Sequence, residues 1–340
     1  MKTSILELHP GLVWGFMITI VFMLLLDLGV FNKKSQAVTS KEATIWTIVW
    51  ISLSMAFSGI IYWVFNQDAG GHDLAIEKFT QFQAAYWIEK ALSVDNLFVF
   101  ILVFSYFKVS RALHHKVLFW GILGALVFRA LFIFAGVGII NLTFLPEMKI
   151  FGKLVELNIV LTLFGFFLIY AGIKSWGGGD DGEEQDFNNS AGAKLVKRLF
   201  KVSDNYDGDK FFTIQKGIKI ATPLLVVVAV IEFTDVLFAV DSIPAIFAIS
   251  KDPFILYTSN IFAILGLRSL YFLLSNFIHM FSKLPYGLSV VLTFIGVKML
   301  ISPWLHISSP ISLGIVGGIL VISVIASLIF PEKQVPSVES

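Results

Sequence analysis

Ile231-Glu-Phe-Thr-Asp-Val-Leu-Phe-Ala-Val-Asp-Ser-Ile-Pro-Ala-Ile-Phe247 sets three carboxylates, Glu232, Asp235 and Asp241, in an otherwise almost wholly apolar run. The run belongs to a hydrophobic stretch, 218–249, that is long enough to cross a bilayer. A charged side chain at the centre of a membrane helix costs about 2.5–3.5 kcal/mol on insertion scales, so acids placed there face a cavity or a partner. Glu89-Lys-Ala-Leu-Ser-Val-Asp95 repeats the pattern, with two acids spaced six apart as Asp235 and Asp241 are.

The rest of the chain agrees. Of 340 residues 56% are hydrophobic and 14% charged, and the mean hydropathy is +0.82. Soluble domains carry roughly 25% charged residues, which excludes a soluble, disordered or disulfide-stapled chain; there is no cysteine. A net charge of +1 gives no bulk field for nucleic acid. Nine apolar stretches have spanning length: 12–31, 43–65, 82–107, 117–140, 155–176, 218–249, 256–277, 286–305 and 311–330. The sixth is too long for an untilted helix and contains Pro244, which predicts a break there. The first is too long for a typical signal-peptide core and reads as an uncleaved span.

Positive charge orients the bundle. The N-terminus and the even-numbered loops hold five Lys, whereas the odd-numbered loops and the C-terminus hold fourteen Lys and Arg. Lys and Arg concentrate on the cytoplasmic side, so the N-terminus is expected outside and the C-terminus in the cytoplasm. The chain is one transmembrane domain, 1–340, with a cytoplasmic loop at 177–216 and a short cytoplasmic tail at 331–340. Within the loop an acidic patch precedes a basic stretch, Lys194–Lys201, whose apolar members are Leu195, Leu199 and Phe200. That stretch fits a short helix on the anionic inner leaflet or a solvated linker equally well.

The two acid pairs open an internal repeat. Arg129-Ala-Leu-Phe132 matches Arg268-Ser-Leu-Tyr271, and Val160-Leu-Thr162 with Gly165 matches Val291-Leu-Thr293 with Gly296. The three matches keep their order while the offset falls from 146 to 139 to 131, as loop-length differences require. Spans 3–5 and 6–8 therefore form a duplicated unit. Three is odd, so the copies are inverted, the architecture of many secondary transporters with a midplane site between the halves. The fold class is an all-α polytopic transmembrane bundle of about nine spans with inverted three-helix repeats.

Leaving aside the three residues at either end of each span, these spans hold six acids, Asp27, Glu89, Asp95, Glu232, Asp235 and Asp241, and four cations, Lys90, Arg129, Arg268 and Lys298. Surplus carboxylate suits a cationic ligand. At about 100° per residue Glu89, Ser93 and Asn96 share a helix face, and Asp235 and Ser242 repeat the relation. The second acid of each pair lies about 120° away, so local unwinding near Asp241–Pro244 would be needed for both to share one ligand. With no Cys and no His inside a span, oxygen ligands suit Mn, Mg or Ca and disfavour zinc and copper. Arg129 and Arg268 are expected to balance charge, Lys90 to be a counter-charge beside Glu89, Lys298 to snorkel, and Asn260 to be a weak ligand candidate.

Other motifs carry less. Gly177-Gly-Gly179-Asp180 lies in a hydrophilic loop without a membrane-embedded partner acid. Asp204-Asn-Tyr-Asp207-Gly208-Asp209 fails the calcium-loop template and reads as a turn. Gly314-x-x-x-Gly318 is a helix-packing motif.

The motifs Glu89–Phe100 and Ile231–Phe247, extended by Asp252-Pro-Phe, Thr258–Leu274, Tyr206–Phe212 and Gly296–Leu300, closely resemble the TerC family of integral membrane proteins, in its Alx-like branch within the lysine-exporter superfamily. The resemblance runs over roughly 10–330. It implies export of Mn²⁺ across the bacterial inner membrane, with Mn²⁺ as transported ion and no permanently bound cofactor. It carries the family's membrane acids onto Asp27, Glu89, Asp95, Glu232, Asp235 and Asp241, with Asn96 and Ser242 beside them. No nucleotide-binding signature is present, so coupling to ATP within this chain is not expected; the expectation is a secondary transporter and not an enzyme, proton-coupled through carboxylates that exchange protons for metal. Its partners are then the metal, protons and the bilayer. Two other readings stand beside this: a membrane scaffold or insertion factor with structural carboxylates, and tellurite export, which the acid surplus opposes.

Overall fold

The computed structural model describes residues 9–31, 39–68, 70–146, 148–150, 153–176, 186–215, 217–277, 283–305 and 307–330; side chains at 26–31, 94, 95, 98, 150, 153–155, 240, 241, 276 and 277 are excepted. The described chain is all-α apart from two hairpins. Its helices are α1 (Pro10–Phe31), α2 (Ser40–Phe65), α3 (Gly71–Tyr106), α4 (Arg111–Leu142), α5 (Ile159–Trp176), α6 (Ala191–Leu199), α7 (Pro223–Phe247), α8 (Pro253–Leu265), α9 (Leu267–Phe277), α10 (Leu284–Ile301) and α11 (Ser309–Ile329). β1 (Met148–Ile150) pairs antiparallel with β2 (Lys153–Val155), and β3 (Phe212–Gln215) with β4 (Ile218–Ala221). Gly217 sits in the second turn at φ +77°, a conformation that glycine adopts without steric cost.

Local chemistry sets the boundaries. Thr39 and Glu42 form a capping box at the start of α2. Asp252 accepts from the Phe254 N–H and Pro253 follows, which starts α8. The apparent excess length of the sixth span has a simple origin: its first residues form β4, and the helix begins only at Pro223. The expected break at Pro244 is not there. α7 runs through Pro244 to Phe247 although the proline leaves the Val240 carbonyl without its usual N–H partner, and the Ala248 N–H reaches the Pro244 carbonyl at 3.3 Å. The seventh span is the discontinuous one, interrupted at Gly266 between α8 and α9.

Among the described residues seven helical stretches are able, by length and composition, to cross a membrane: α2, α4, α5, α7, α8 with α9, α10 and α11. The two other predicted spans are α1 and α3, the latter with more charge than an ordinary span tolerates. Contacts between loops show that the nine alternate. At one end His9 meets Asp68 at 2.8 Å and Lys78 meets Asp252 at 3.1 Å. A cavity of about 1190 Å³ opens at this end, lined from the loops after α2, α5's leading hairpin, α7 and α10. At the other end the Tyr206 hydroxyl donates to the Phe107 carbonyl at 2.8 Å, Lys116 reaches Asp209 at 2.9 Å, and the Lys283 N–H reaches Ser327 near the end of α11 at 2.9 Å. The chain thus starts at the cavity end and finishes α11 at the opposite end. Exposed tryptophans, Trp14 and Trp63 near the cavity end and Trp176 near the other, sit where an aromatic belt is expected.

The inverted repeat is visible in the packing. α5 crosses α10 with Gly165 and Gly296 face to face. A Cβ on Gly165 would meet Leu300 and the Gly296 carbonyl, and one on Gly296 would meet Ile169 and the Gly165 carbonyl. Residues 165 and 296, and 169 and 300, are separated by the same offset of 131. Each copy therefore makes toward the other the contact that it receives, as a two-fold relation requires. The remaining elements exchange likewise: α3 packs on α8 while α7 packs on α4.

Within the 177–216 segment the described part, 186–215, holds a 3-10 turn (Phe187–Asn189), α6 and β3; 177–185 and 216 lie outside the described residues, as does the tail 331–340. Among the described residues Gly314 and Gly318 make no close helix contact, because a Cβ on either would meet nothing within 4 Å. The turn at Gly208 is as expected, with φ +57° and Asp207 accepting from Thr213 at 2.8 Å.

Candidate acidic centre

α3, α4, α7 and α8 meet at the middle of the bundle. Arg129 of α4 is fully buried there and donates to both repeat-equivalent acids. Its Nη1 donates to Glu89 Oε1, and its Nη2 and Nε donate to Asp235 Oδ1 and Oδ2 at 3.2 and 3.4 Å. Asn260 of α8 closes the ring. Its Oδ1 accepts from Arg129 Nη1 at 3.2 Å, and its Nδ2 donates to Glu89 Oε2 at 2.9 Å. Glu89 and Asp235 are buried as well, so the network holds two carboxylates against one guanidinium, with all four carboxylate oxygens engaged. The forked, rigid donor geometry of arginine suits such bridging.

More polar atoms converge on these helices. The hydroxyls of Ser93 and Ser242 and Glu232 Oε2 are buried with no hydrogen-bond partner among the described residues. Glu232 lies one turn before Asp235, and its carboxylate rests over Gly124 of α4, where a Cβ would overlap it. Asn96 is buried two turns beyond Glu89. The side chains of Asp27, Asp95 and Asp241 lie outside the described residues. Their backbones place Asp95 on α3 six residues beyond Glu89, away from the cavity, and Asp241 on α7 six residues beyond Asp235, toward it. Six residues of helix span about 9 Å. Among the described residues no three His, Asp or Glu side chains gather as a metal site.

One cation sits elsewhere than its sequence position suggested. Lys90 turns away from Glu89; its Nζ donates to the Ala263 carbonyl at 3.3 Å, at the C-terminal end of α8, and packs over Gly266. It complements a helix end, where backbone carbonyls lack partners, rather than an acid. Arg268 is buried in α9, beyond the break. Lys298 lines the cavity. Asn260 proves central, although its sequence position suggested only the opening of a span; α8 begins seven residues earlier.

Outside the membrane segments, three acids hold loop contacts. The Tyr106 hydroxyl donates to Asp186 at 2.5 Å and keeps that carboxyl below its usual range. Thr213 does so for Asp207, and Lys116 for Asp209.

The family model for "Integral membrane protein TerC family" matches residues 74–335. The chain belongs to the TerC family. Relatives extend the likeness through α1 and α2. An "Uncharacterized membrane protein STKORF319" of Myxococcus xanthus is 43% identical over 320 residues, 94% of this chain and 92% of that protein. A protein of Photorhabdus laumondii named "Putative membrane-bound redox modulator Alx" is 41% identical over 319 residues, 93% of this chain and 94% of its own length. Its namesake in Escherichia coli K12 is 41% identical over 316 residues, 92% of this chain and 93% of that one. No solved structure matches the chain. Family and helices together make this TerC chain a multi-pass integral membrane protein.

Proposed function

We propose that the protein is a secondary exporter of Mn²⁺, exchanging it for protons across the bacterial inner membrane, with the cavity end outside. The observation that carries the reading is the meeting of Glu89 and Asp235, equivalent acids of two inverted repeats, on one buried arginine between the halves. Inverted-repeat transporters place their sites there. Asp95 on one side and Asp241 on the other continue the acids along the bundle axis, related by the same two-fold. In this mechanism Mn²⁺ enters from the Lys- and Arg-rich face by way of Asp95, is held by carboxylate, amide and hydroxyl oxygens of Glu89, Asn96, Asp235, Ser242 and Glu232, and leaves past Asp241. The role of Arg129 is to neutralise the acids while no metal is bound; Mn²⁺ replaces it. The cavity favours cation release to the outside through its lining of five carboxylates against three lysines. Protons compete with metal for the same oxygens, so an alkaline cytoplasm favours loading and an acidic exterior favours release. Asp27, near the end of α1 on the face opposite the cavity, is assigned to metal entry. No step calls for catalysis.

A second reading has one observation in its favour. Every oxygen of Glu89 and Asp235 is already engaged, as in a structural ion-pair network, which suits a membrane scaffold or insertion factor. The name redox modulator, borne by relatives, would have to work here without thiol chemistry, since the chain has no cysteine.

Expression in a manganese-sensitive bacterial host separates the two. The exporter reading expects lower cellular Mn²⁺ with the wild-type chain and no effect with D95N or D241N at equal membrane abundance. Unchanged Mn²⁺ content with the wild type would leave the scaffold reading.

A further inference from the structure

At the end of the bundle away from the cavity, α6 and the β3–β4 hairpin form a shelf that the acidic centre does not explain. α6 docks by one edge. Gly192, Ala193 and Val196 are buried, and Gly192 lies so close to α7 that a Cβ there would overlap the Ala229 carbonyl. The rest of the helix divides in two. At about 100° per residue, Leu199 falls within about 20° of Gly192, with Leu195 beside it, while Lys194, Lys197 and Arg198 occupy the opposite arc. Leu195 and Leu199 are 54% and 64% exposed. Phe200 continues the apolar edge and meets Phe212 of β3 edge-on at 5.3 Å, with Lys219 over the same ring at 4.6 Å. The hairpin adds Ile214 and Ile218, 74% and 57% exposed.

The shelf lies close to the ends of the membrane-crossing helices on this side of the bundle. Gly192 crosses α7 at Ala229, six residues into the helix, a depth of about 9 Å. Trp176 and Tyr286, partly exposed and in ring contact at 5.6 Å, mark the aromatic belt at the same end of the bundle. A helix with an apolar flank next to its docked edge and a basic flank beyond it has the arrangement of one lying in an interface.

We infer that α6 and the β3–β4 hairpin bind the anionic headgroups of the adjoining leaflet, with Leu195, Leu199, Phe200 and Ile214 at the acyl boundary and Lys194, Lys197 and Arg198 at the phosphates. Charge complementarity selects this occupant: the exposed cations flank the apolar edge, and phosphate is the anion available at that depth. The inference holds whether or not the chain transports metal.

The absence of cysteine makes the test clean, since a single introduced thiol takes the only label. L199C, I214C and, as an aqueous reference, K210C of the full chain carry a nitroxide in phosphatidylcholine vesicles with or without phosphatidylglycerol. The labels at 199 and 214 should be relaxed more by oxygen than by an aqueous nickel chelate, and more deeply so with phosphatidylglycerol, while the label at 210 stays open to nickel. Changing Lys194, Lys197 and Arg198 to Gln in the L199C chain should abolish the phosphatidylglycerol effect and leave the oxygen preference. Nickel-accessible labels at 199 and 214 in both lipids would overturn the inference. So would labels shielded from both reagents, which would assign the face to a protein segment, or a phosphatidylglycerol effect that survives the triple change.

Discussion

Replacing Arg129 by Gln tests the network at its most connected point. Among the described residues it is Arg129 that pairs with both Glu89 and Asp235, and all three groups are buried. Its removal leaves two carboxylates without a cation, and breaking a buried pair by deleting one partner costs about 3–5 kcal/mol. Protonation of one acid limits the loss to that range rather than twice it. E89Q is milder. It leaves the Arg129–Asp235 pair in place and removes one charge-assisted bond, about 1.5–3 kcal/mol. R129Q should therefore be the more destabilised, and the E89Q/R129Q double variant less so than the sum of its parts by about 0.5–3 kcal/mol. Unfolding in mixed micelles, followed by the fluorescence of the eight tryptophans, measures all three. The exporter reading adds a second expectation. A divalent ion able to take the place of Arg129 should restore R129Q, by about 2.7 kcal/mol at a hundredfold excess over its dissociation constant, and should do less for D235N. If R129Q is no less stable than E89Q, Arg129 does not hold the two acids together and the centre is wrongly drawn.

Four further expectations follow from the same contacts. G165A and G296A should each cost about 1–3 kcal/mol by overpacking and by similar amounts, because each side chain would meet the counterpart of what the other meets; unequal losses in the same unfolding assay would argue against the two-fold. G124A should push the Glu232 carboxylate from its place and weaken Mn²⁺-dependent stabilisation, read by a Mn²⁺ titration. The carboxyls of Asp186, Asp207 and Asp209 titrate below their usual range in the folded chain, so their contribution is complete at neutral pH and is lost only as pH falls below about 4; proteolysis of the segment containing α6 should rise there and not between pH 6 and 8. A reporter fused after Phe330 that works only in the periplasm should be silent, and strong activity would reverse the orientation.

Much of this was legible because membrane folds are constrained by what lipid excludes. Acids spaced six apart in two apolar stretches, and short matches that followed them in order, gave the repeat before any contact was known; Gly165 and Gly296 then met across α5 and α10. What escaped notice depended on local competition. Ile218–Ala221 is as apolar as a helix start but pairs as a strand, and Pro223, an efficient first residue of a helix, sets the true beginning. Pro244 suggests a break, yet the helix runs through it to Phe247, and the discontinuity falls at Gly266 instead. Arg129 was recognised as a balancing charge from its repeat. Adjacency of Lys90 to Glu89 says nothing of direction: neighbours on a helix diverge by about 100°, and Lys90 meets the end of α8. Asn260 gave no signal beyond being polar in a span, since its importance arises only when α8 reaches α3.

Mn²⁺ flux through the purified protein in proteoliposomes, with an acidic lumen and voltage held constant, tests the central claim most directly. The account predicts Mn²⁺ accumulation in the lumen by chains whose cytoplasmic face points outward, loss of that accumulation with a protonophore, and none with D95N or D241N. Vesicles of wild-type protein that take up no more Mn²⁺ than protein-free ones, or mutants that transport as the wild type does, would contradict it.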